Sequence, residues 1–445
     1  MNLAQNKKRE PGATAWPREI FESIVPHISN ADNLVNYLTA METNVSDDLV
    51  CLLHRVRHAK DTEWPVLCIT SATVRGPSLQ QVVKYYRHIQ VTDAGDLSDL
   101  EGVSPSTTTI DLRAFPAEDV DAETCTAWYR QLARVPVTHL TWRCDFDEDR
   151  DELLGVLPQL SHLRSLRILH ETNMAQLFAY VGTSKLTELF TGNFRFSSDD
   201  GPDVLDAALT HLTKWLDAQP VTGFGFIFNA LERCSPFIAA AFLHALTRAT
   251  ALTTLTAYFL PLAIVRKHAS FRLPPMLQCL RVQGLLIDTA ADAATLETLV
   301  RDSKLTKLAV MNTIIPTLHS LLQHLPWASL THLALKRIRL SNHDCQTLAL
   351  CVPLWTALKG LDLHKNAFDC GGVMCLARAM PSTSTLETLG LSANRLSEMA
   401  AATLIQVAAQ RYPRFCLDLT ACVVDTFQQE RLKALACRAR VDLVL

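Results

Sequence analysis

The chain has 445 residues, more than one globular core usually contains, which predicts either several domains or an elongated stack of small units. Its hydrophobic fraction of 48% excludes disorder as the dominant state, and 42 basic against 45 acidic residues exclude an overall attraction to nucleic acid. The sequence contains no uncharged apolar run of about 18 residues, so we predict no membrane span. The polar start Met1–Glu10 lacks the apolar stretch of a secretory signal.

The 13 cysteines are scattered and include no Cys-x-x-Cys pair. This usage is typical of free thiols in a reducing compartment rather than of a disulfide framework or a zinc site. We therefore expect a cytoplasmic or nuclear protein with no bound metal and no cofactor.

The first part of the chain predicts a small helical unit. Residues 1–15 are expected to form a disordered tail, and residues 16–64 three short amphipathic helices. In the first helix, Ile20 and Ile24 lie on one side because they are four residues apart. Leu34 belongs to the apolar stripe of the second helix, which Asn30 can cap.

This segment resembles an F-box. The resemblance rests on a Pro-x-Glu-Ile opening at Pro17, an Asp-x-Leu start to the second helix, and the downstream tryptophan Trp64. The ending Thr39–Glu42 departs from the usual pattern, so a plain helical cap over the first strands is the alternative. The resemblance implies docking to a Skp-type adaptor and through it to a cullin. The residues implied to form or support the adaptor-binding surface are Pro17, Ile20, Ile24 and Leu34.

Residues 65–104 are expected to join this unit to a long series of repeats over residues 105–445. The pattern LxxLxL starts at Leu330, Leu358 and Leu386, and its second leucines recur every 28 residues. Those leucines are Leu333, Leu361 and Leu389, and the partial match at Leu417 continues the series. Toward the amino terminus, the equivalent positions are Leu308, Leu280, Leu255, Phe224, Leu189, Leu166, Leu140 and, more weakly, Ile110.

A fixed period of this length predicts a solenoid of the α/β class, in which each repeat is a strand followed by a helix. Stacked strands need about 4.8 Å per rung and packed helices about 8–10 Å, so the expected shape is a horseshoe with parallel strands on its concave face. Asn366 and Asn394 follow two strands and are expected to satisfy backbone groups of the turns. The pattern LxxLxLxxNxL followed by a helix resembles the ribonuclease-inhibitor class of leucine-rich repeats. Early repeats depart from it at Asp145, Glu171, Phe194 and Leu260.

Two groups of residues on the concave face are candidate contacts for a protein partner. The basic group comprises Lys336, Arg337, Arg339, His364 and Lys365. The apolar group comprises Ile227, Phe228, Tyr258 and Phe259. Arginine clusters accept acidic or phosphorylated peptides, and aromatic anchors are typical of binding hot spots. The alternatives are an ordinary solvated strand face for the first group and rings turned inward for the second.

The sequence contains no phosphate-binding GxxxxGK[ST], no HExxH, no GxSxG and no GxGxxG, so we predict no enzymatic activity. The leading hypothesis is a protein-interaction scaffold that acts as the substrate-recognition subunit of a cullin-RING ubiquitin ligase, as its resemblance implies. Ran-type GTPase-activating proteins use the same repeat class, so a regulator of a small GTPase is one alternative. A free-standing interaction protein is the other.

Overall fold

The structure is a computed structural model in which the chain forms two compact units, Met1–Leu163 and Arg164–Leu445. It describes residues 18–41, 46–58, 64–70, 73, 77–93, 95–116, 120–142, 148–169, 173–192, 201–285, 287, 289–316, 318–380, 385–410, 415–422 and 425–445. Within these ranges, no helix is both long enough and apolar enough to cross a membrane.

The first unit begins with the predicted trio of helices, Arg18–Ile24, Ala31–Ala40 and Asp47–His58. The side chain of Asn30 caps the second helix by accepting the backbone N–H of Asn33 at 3.0 Å. The indole Nε1 of Trp64 donates to the carbonyl of Ile28 at 2.7 Å. The apolar side chains that this trio buries are Val25, Leu34, Leu38, Leu49, Leu52, Leu53 and Val56.

The rest of the first unit is a parallel sheet with helical connections. Its described strands are β1 (Val66–Ile69), β2 (His88–Val91), β3 (Thr109–Leu112) and β4 (His139–Trp142). Its further helices are Pro77–Val82, Ala122–Leu132 and Glu148–Val156. Residues 65–104, expected to be a joining region, therefore contribute β1 and β2 as two rungs ahead of β3.

The second unit repeats one strand and one helix along its whole length. Its strands are β5 (Ser165–Ile168), β6 (Glu188–Thr191), β7 (Gly223–Ile227), β8 (Thr254–Tyr258), β9 (Cys279–Gln283), β10 (Lys307–Met311), β11 (His332–Lys336), β12 (Gly360–Asp362), β13 (Thr388–Gly390), β14 (Cys416–Asp418) and β15 (Asp442–Val444). Its helices are Met174–Val181, Pro202–Ala218, Pro236–Arg248, Leu262–Lys267, Ala290–Arg301, Leu318–Gln323, Asn342–Cys351, Cys370–Ala379, Glu398–Ala409 and Thr426–Ala439. Successive strands pair in parallel, and helices of successive repeats pack against one another.

The predicted leucine ladder is confirmed. Leu333 pairs with Leu361, Leu361 with Leu389 and Leu389 with Leu417, and all four side chains are buried. The earlier equivalents from Leu166 to Leu308 continue the same register. Each repeat thus buries its apolar edge only against its neighbours, which is the defining property of a leucine-rich repeat solenoid.

One register differs from the sequence prediction. Leu140 was expected to stand opposite Ile110, but it pairs with Leu112, two residues later. A shift of two residues keeps both side chains on the inner face, because side chains alternate along a strand. The error therefore leaves the buried face of β3 unchanged.

The turns that leave the strands also repeat. Arg337, Lys365, Ala393 and Ala421 occupy equivalent positions and have positive φ angles of 54°, 52°, 55° and 59°. The N–H groups of the first two donate to the carbonyls of His364 and Ser392 at 3.0 and 2.9 Å. Side chains at these positions therefore stand in a row at one edge of the sheet.

Candidate functional site

The outward-pointing residues of β5–β14 form a surface that we call the strand face. Because neighbouring strands pair in register, equivalent outward residues lie in rows across the sheet. One such row consists of Arg167, Phe190, Gly225, Thr256 and Arg281. Exposed side chains of this row are available to another molecule, whereas the alternate residues form the core.

Phe190 lies flat on the neighbouring strand. A Cβ atom on Gly223 would stand 2.9 Å from Cζ of Phe190, and one on Gly225 would stand 2.8 Å from its Cδ1. The two glycines of β7 thus leave the room that the ring occupies. The guanidinium carbon of Arg167 lies 4.9 Å from the ring centroid, close enough for a cation–π interaction.

A depression of about 510 Å³ extends from this ring toward β10. Tyr258, Arg281 and Lys307 line it together with Arg167 and Phe190, and we call these five residues the arginine–aromatic sector. Burial raises the pKa of the Tyr258 hydroxyl, while Arg167 and Arg281 oppose that rise. Both guanidinium groups therefore contribute a positive electrostatic potential at the Tyr258 hydroxyl.

The charge of the sector is predominantly positive. Arg281 and Lys307 are exposed and form no ion pair with the described residues. Glu188 lies in the same depression, where it accepts the hydroxyls of Ser165 at 2.9 Å and Thr222 at 3.4 Å. One carboxylate beside three cationic side chains leaves a net positive charge.

A second depression, of about 420 Å³, continues along the strand face toward β14. Its floor consists of small outward residues, among them Ala309, Ala334 and Gly390. Asp362 and Asp418 line its far part, where Lys336 neutralises Asp362 and Asp418 forms no ion pair with the described residues, so the net positive charge of the arginine–aromatic sector does not continue toward β14.

The predicted basic group divides into two kinds of residue. The Nζ of Lys336 lies 2.5 Å from Oδ2 of Asp362, and Nδ1 of His364 lies 2.8 Å from Oγ of Ser392. These two predicted residues are thus engaged within the fold. A surface ion pair of this type contributes no more than about 1 kcal/mol to stability.

The other three predicted basic residues lie at the edge of the sheet. Arg337, Arg339 and Lys365 are exposed, all have positive φ angles, and none forms an ion pair with the residues that the structure describes. Arg337 and Arg339 line a third depression beside Ile314, whose side chain is 55% exposed.

The structure corrects the expectation for two of the four apolar residues. Ile227 and Phe228 are 2% and 0% exposed, so neither offers a surface to a partner. The ring of Phe228 packs among other aromatic rings, with its centroid 5.6 Å from that of Phe226. Tyr258 and Phe259 are half-buried and remain on the surface.

The residues predicted for adaptor binding have different surroundings. Ile20 and Ile24 are 37% and 40% exposed on successive turns of one helix. Leu34 is fully buried, so of the two predicted roles, contact with the adaptor or support of the surface, only support fits its position. Pro17 lies outside the described residues.

Sequence reasoning missed Arg167, Phe190, Arg281 and Lys307. Their positions in the sequence could have identified them, because a residue next to an inward-pointing leucine on a strand must point outward. Early repeats match the leucine pattern poorly, which hid the row from Arg167 to Arg281.

The described residues contain no group of three or more His, Cys, Asp or Glu side chains arranged to hold a metal ion. The described cysteines are all free. Burial raises the pKa of Cys345 to about 12, which makes this thiol a poor nucleophile.

No protein-family model matches the sequence, and no curated protein is significantly similar to it. Among solved structures, the yeast Rad7–Elc1 complex has a TM-score of 0.48 and 15% identity over 92% of this chain and 90% of that chain. A protein from Bacteroides fragilis has a TM-score of 0.39 and 12% identity over 65% of this chain and 76% of that one. An internalin from Listeria monocytogenes has a TM-score of 0.29 and 12% identity over 85% of each chain. At these TM-scores the likenesses carry no argument about function, and the fold assignment rests on the repeat and its register.

Proposed function

We propose that this chain is a protein-recognition scaffold that serves as the substrate-recognition subunit of a cullin-RING ubiquitin ligase. In this role the three N-terminal helices bind a Skp-type adaptor, and the strand face binds the target protein. The observation that carries the adaptor-binding half is the exposed pair Ile20 and Ile24.

Exposed isoleucines on successive helical turns are what an apolar docking surface requires. The three helices otherwise bury most of their large apolar residues, with Leu34, Leu38 and Leu52 at 0% exposure. Leaving Ile20 and Ile24 more than a third exposed costs hydrophobic stabilisation, which a partner that covers them would restore at about 25 cal/mol per Å² of buried apolar area.

The target-binding half is supported by the composition of the strand face. Rings and unpaired cations stand together in the arginine–aromatic sector, and such residues are enriched in binding hot spots. A solenoid offers them on a long row of equivalent positions, so a partner can contact several repeats at once.

Co-purification of the full chain with a Skp-type adaptor tests this role. The double variant Ile20→Asp/Ile24→Asp should lose the adaptor, with an affinity at least about tenfold weaker, because each substitution places a carboxylate in an apolar interface. The matched control is Leu350→Asp, a similar change at a side chain that is 76% exposed on a helix of the second unit.

Circular dichroism should show both variants folded, since all three side chains are exposed. The proposal is rejected if the wild-type chain captures no adaptor, or if the double variant and Leu350→Asp capture it equally well.

A further inference from the structure

The cations of the arginine–aromatic sector are spread along the strand face. Arg167 lies on β5, Arg281 on β9 and Lys307 on β10. At about 4.8 Å per rung, the first two are roughly 19 Å apart along the sheet, a distance that an extended peptide covers in about six residues. A single phosphate is too small to engage cations that far apart, whereas a run of carboxylates matches them.

The rings of the sector add an apolar contact between these charges. Phe190 is held flat by the bare backbone of Gly223 and Gly225, so its outer face is fixed without loss of rotamer freedom on binding. Tyr258 is half-buried two strands further along, on β8, and also lines the depression. A ligand with apolar side chains between its acidic ones would contact both.

The rest of the strand face limits the length of an anionic ligand. Asp362 and Asp418 line the continuation of the groove, and the chain has a net charge of −3. Lys336 neutralises Asp362, but a long polyanion such as RNA would still extend beyond the cations to the carboxylate of Asp418, whereas a short acidic segment that ends near β10 would not.

We propose that the arginine–aromatic sector binds a short segment of the target protein that is rich in aspartate and glutamate. The carboxylates lie against Arg167, Arg281 and Lys307, and apolar side chains between them lie on Phe190 and Tyr258. This inference rests on the proposed role of the strand face in target recognition, but it is independent of adaptor binding.

Fluorescence anisotropy with the full chain and labelled peptides tests the inference. The probe is Glu-Glu-Leu-Glu-Glu-Leu, and its comparison is the same peptide with glutamine in place of glutamate. The glutamate peptide should bind at least about tenfold more tightly at low salt, because charge-assisted hydrogen bonds are roughly twice as strong as neutral ones. Affinity should fall as salt screens the charges over about 10 Å at 0.1 M.

Substitutions locate the binding site. Arg281→Gln and Lys307→Gln should each weaken binding of the glutamate peptide about tenfold. Arg337→Gln and Lys365→Gln remove equally exposed cations at the edge of the sheet and should change the affinity less than about twofold, since they lie outside the sector.

Several results would overturn the inference. They are equal binding of the glutamine peptide, an equal effect of Arg337→Gln and Arg281→Gln, tighter binding of single-stranded RNA, or more than about tenfold preference for a phosphoserine version of the peptide. Adaptor capture by the same protein samples separates this failure from failure of the ligase role. Capture without acidic-peptide binding rejects the inference alone, and peptide binding without capture rejects the ligase role alone.

Discussion

The ring of Phe190 occupies the space where Gly225 has no side chain. An added Cβ at Gly225 would lie 2.8 Å from Cδ1 of the ring and 3.4 Å from the Cα of Phe190. The glycine therefore serves a packing purpose between two strands, and it fixes the position of an aromatic surface that faces outward.

Gly225→Ala should displace the ring. The new methyl group cannot fit beneath Phe190, so we expect a loss of about 1–3 kcal/mol in the free energy of unfolding, as for other overpacked sites. The same displacement should weaken binding of the glutamate–leucine peptide. Urea denaturation followed by circular dichroism measures the first effect, and anisotropy measures the second.

A double-mutant cycle separates overpacking from a general effect of alanine on β7. In a Phe190→Ala background the methyl group has room, so Gly225→Ala should cost much less than in the wild type. Equal costs in the two backgrounds would show that the ring does not occupy the space above Gly225.

The solenoid itself was predictable because a repeat cannot bury its apolar edge alone. Leu333, Leu361 and Leu389 are equally spaced, and only a stack with those residues in register covers all of them. β1 and β2 were not predicted as rungs of the repeat, because Val66–Ile69 and His88–Val91 alternate as strands but lack the leucine pattern.

The candidate site was less predictable, since it depends on which neighbour covers an outward position. Ile227 pairs with Tyr258 and has the parity of an outward residue, yet it is buried. Phe228 begins a short 3₁₀ turn that carries its ring into the aromatic core beside Phe242. Such contacts between side chains of neighbouring repeats are not encoded in the spacing of residues along the sequence.

The imidazole of His332 lies beside the sector and should titrate below its usual range. Burial lowers the pKa of His332 from 6.5, and the neighbouring Lys307 lowers it further, while Glu387 opposes this shift and Lys359 adds to it. Lys307→Gln should therefore raise the pKa of His332, but only partly, because burial remains. NMR titration of the histidine ring measures this change.

The sign of this shift fixes the expected pH dependence. A folded-state pKa below the unfolded value means that the unfolded chain binds the proton more readily, so this group takes away stability as the pH falls through 6.5 and below. Protonated His332 adds a cation beside Lys307, so acidic-peptide binding should strengthen over the same range. An unchanged pKa of His332 in Lys307→Gln would contradict the placement of Lys307 beside the ring.

Asn394 holds two turns together, and its loss should leave one backbone group without a partner. Its Oδ1 accepts the N–H of Asn366 at 2.8 Å, and its Nδ2 donates to the carbonyls of Leu363 and Leu391 at 3.0 and 2.6 Å. Both carbonyls have a second donor, from Nδ2 of Asn366 and Sγ of Cys422. Asn394→Ala therefore strands only the N–H of Asn366, and we expect a loss of about 2–3 kcal/mol.

Cys422 stands one repeat later at the equivalent position and provides the control. Its thiol is a weak donor to the carbonyl of Leu391 at 3.0 Å, and the backbone N–H groups of Asn394 and Ala393 stand near the sulfur, which is a weak acceptor, so Cys422→Ala should cost about 1 kcal/mol or less. Native-state hydrogen exchange of the Asn366 amide and its neighbours measures both changes where they act. Faster exchange of that amide in Asn394→Ala than in Cys422→Ala is the expected result. Equal exchange would mean that the asparagine contributes only its volume. A stranded N–H of Asn366 would exchange faster, whereas a small cavity would leave its hydrogen bond in place.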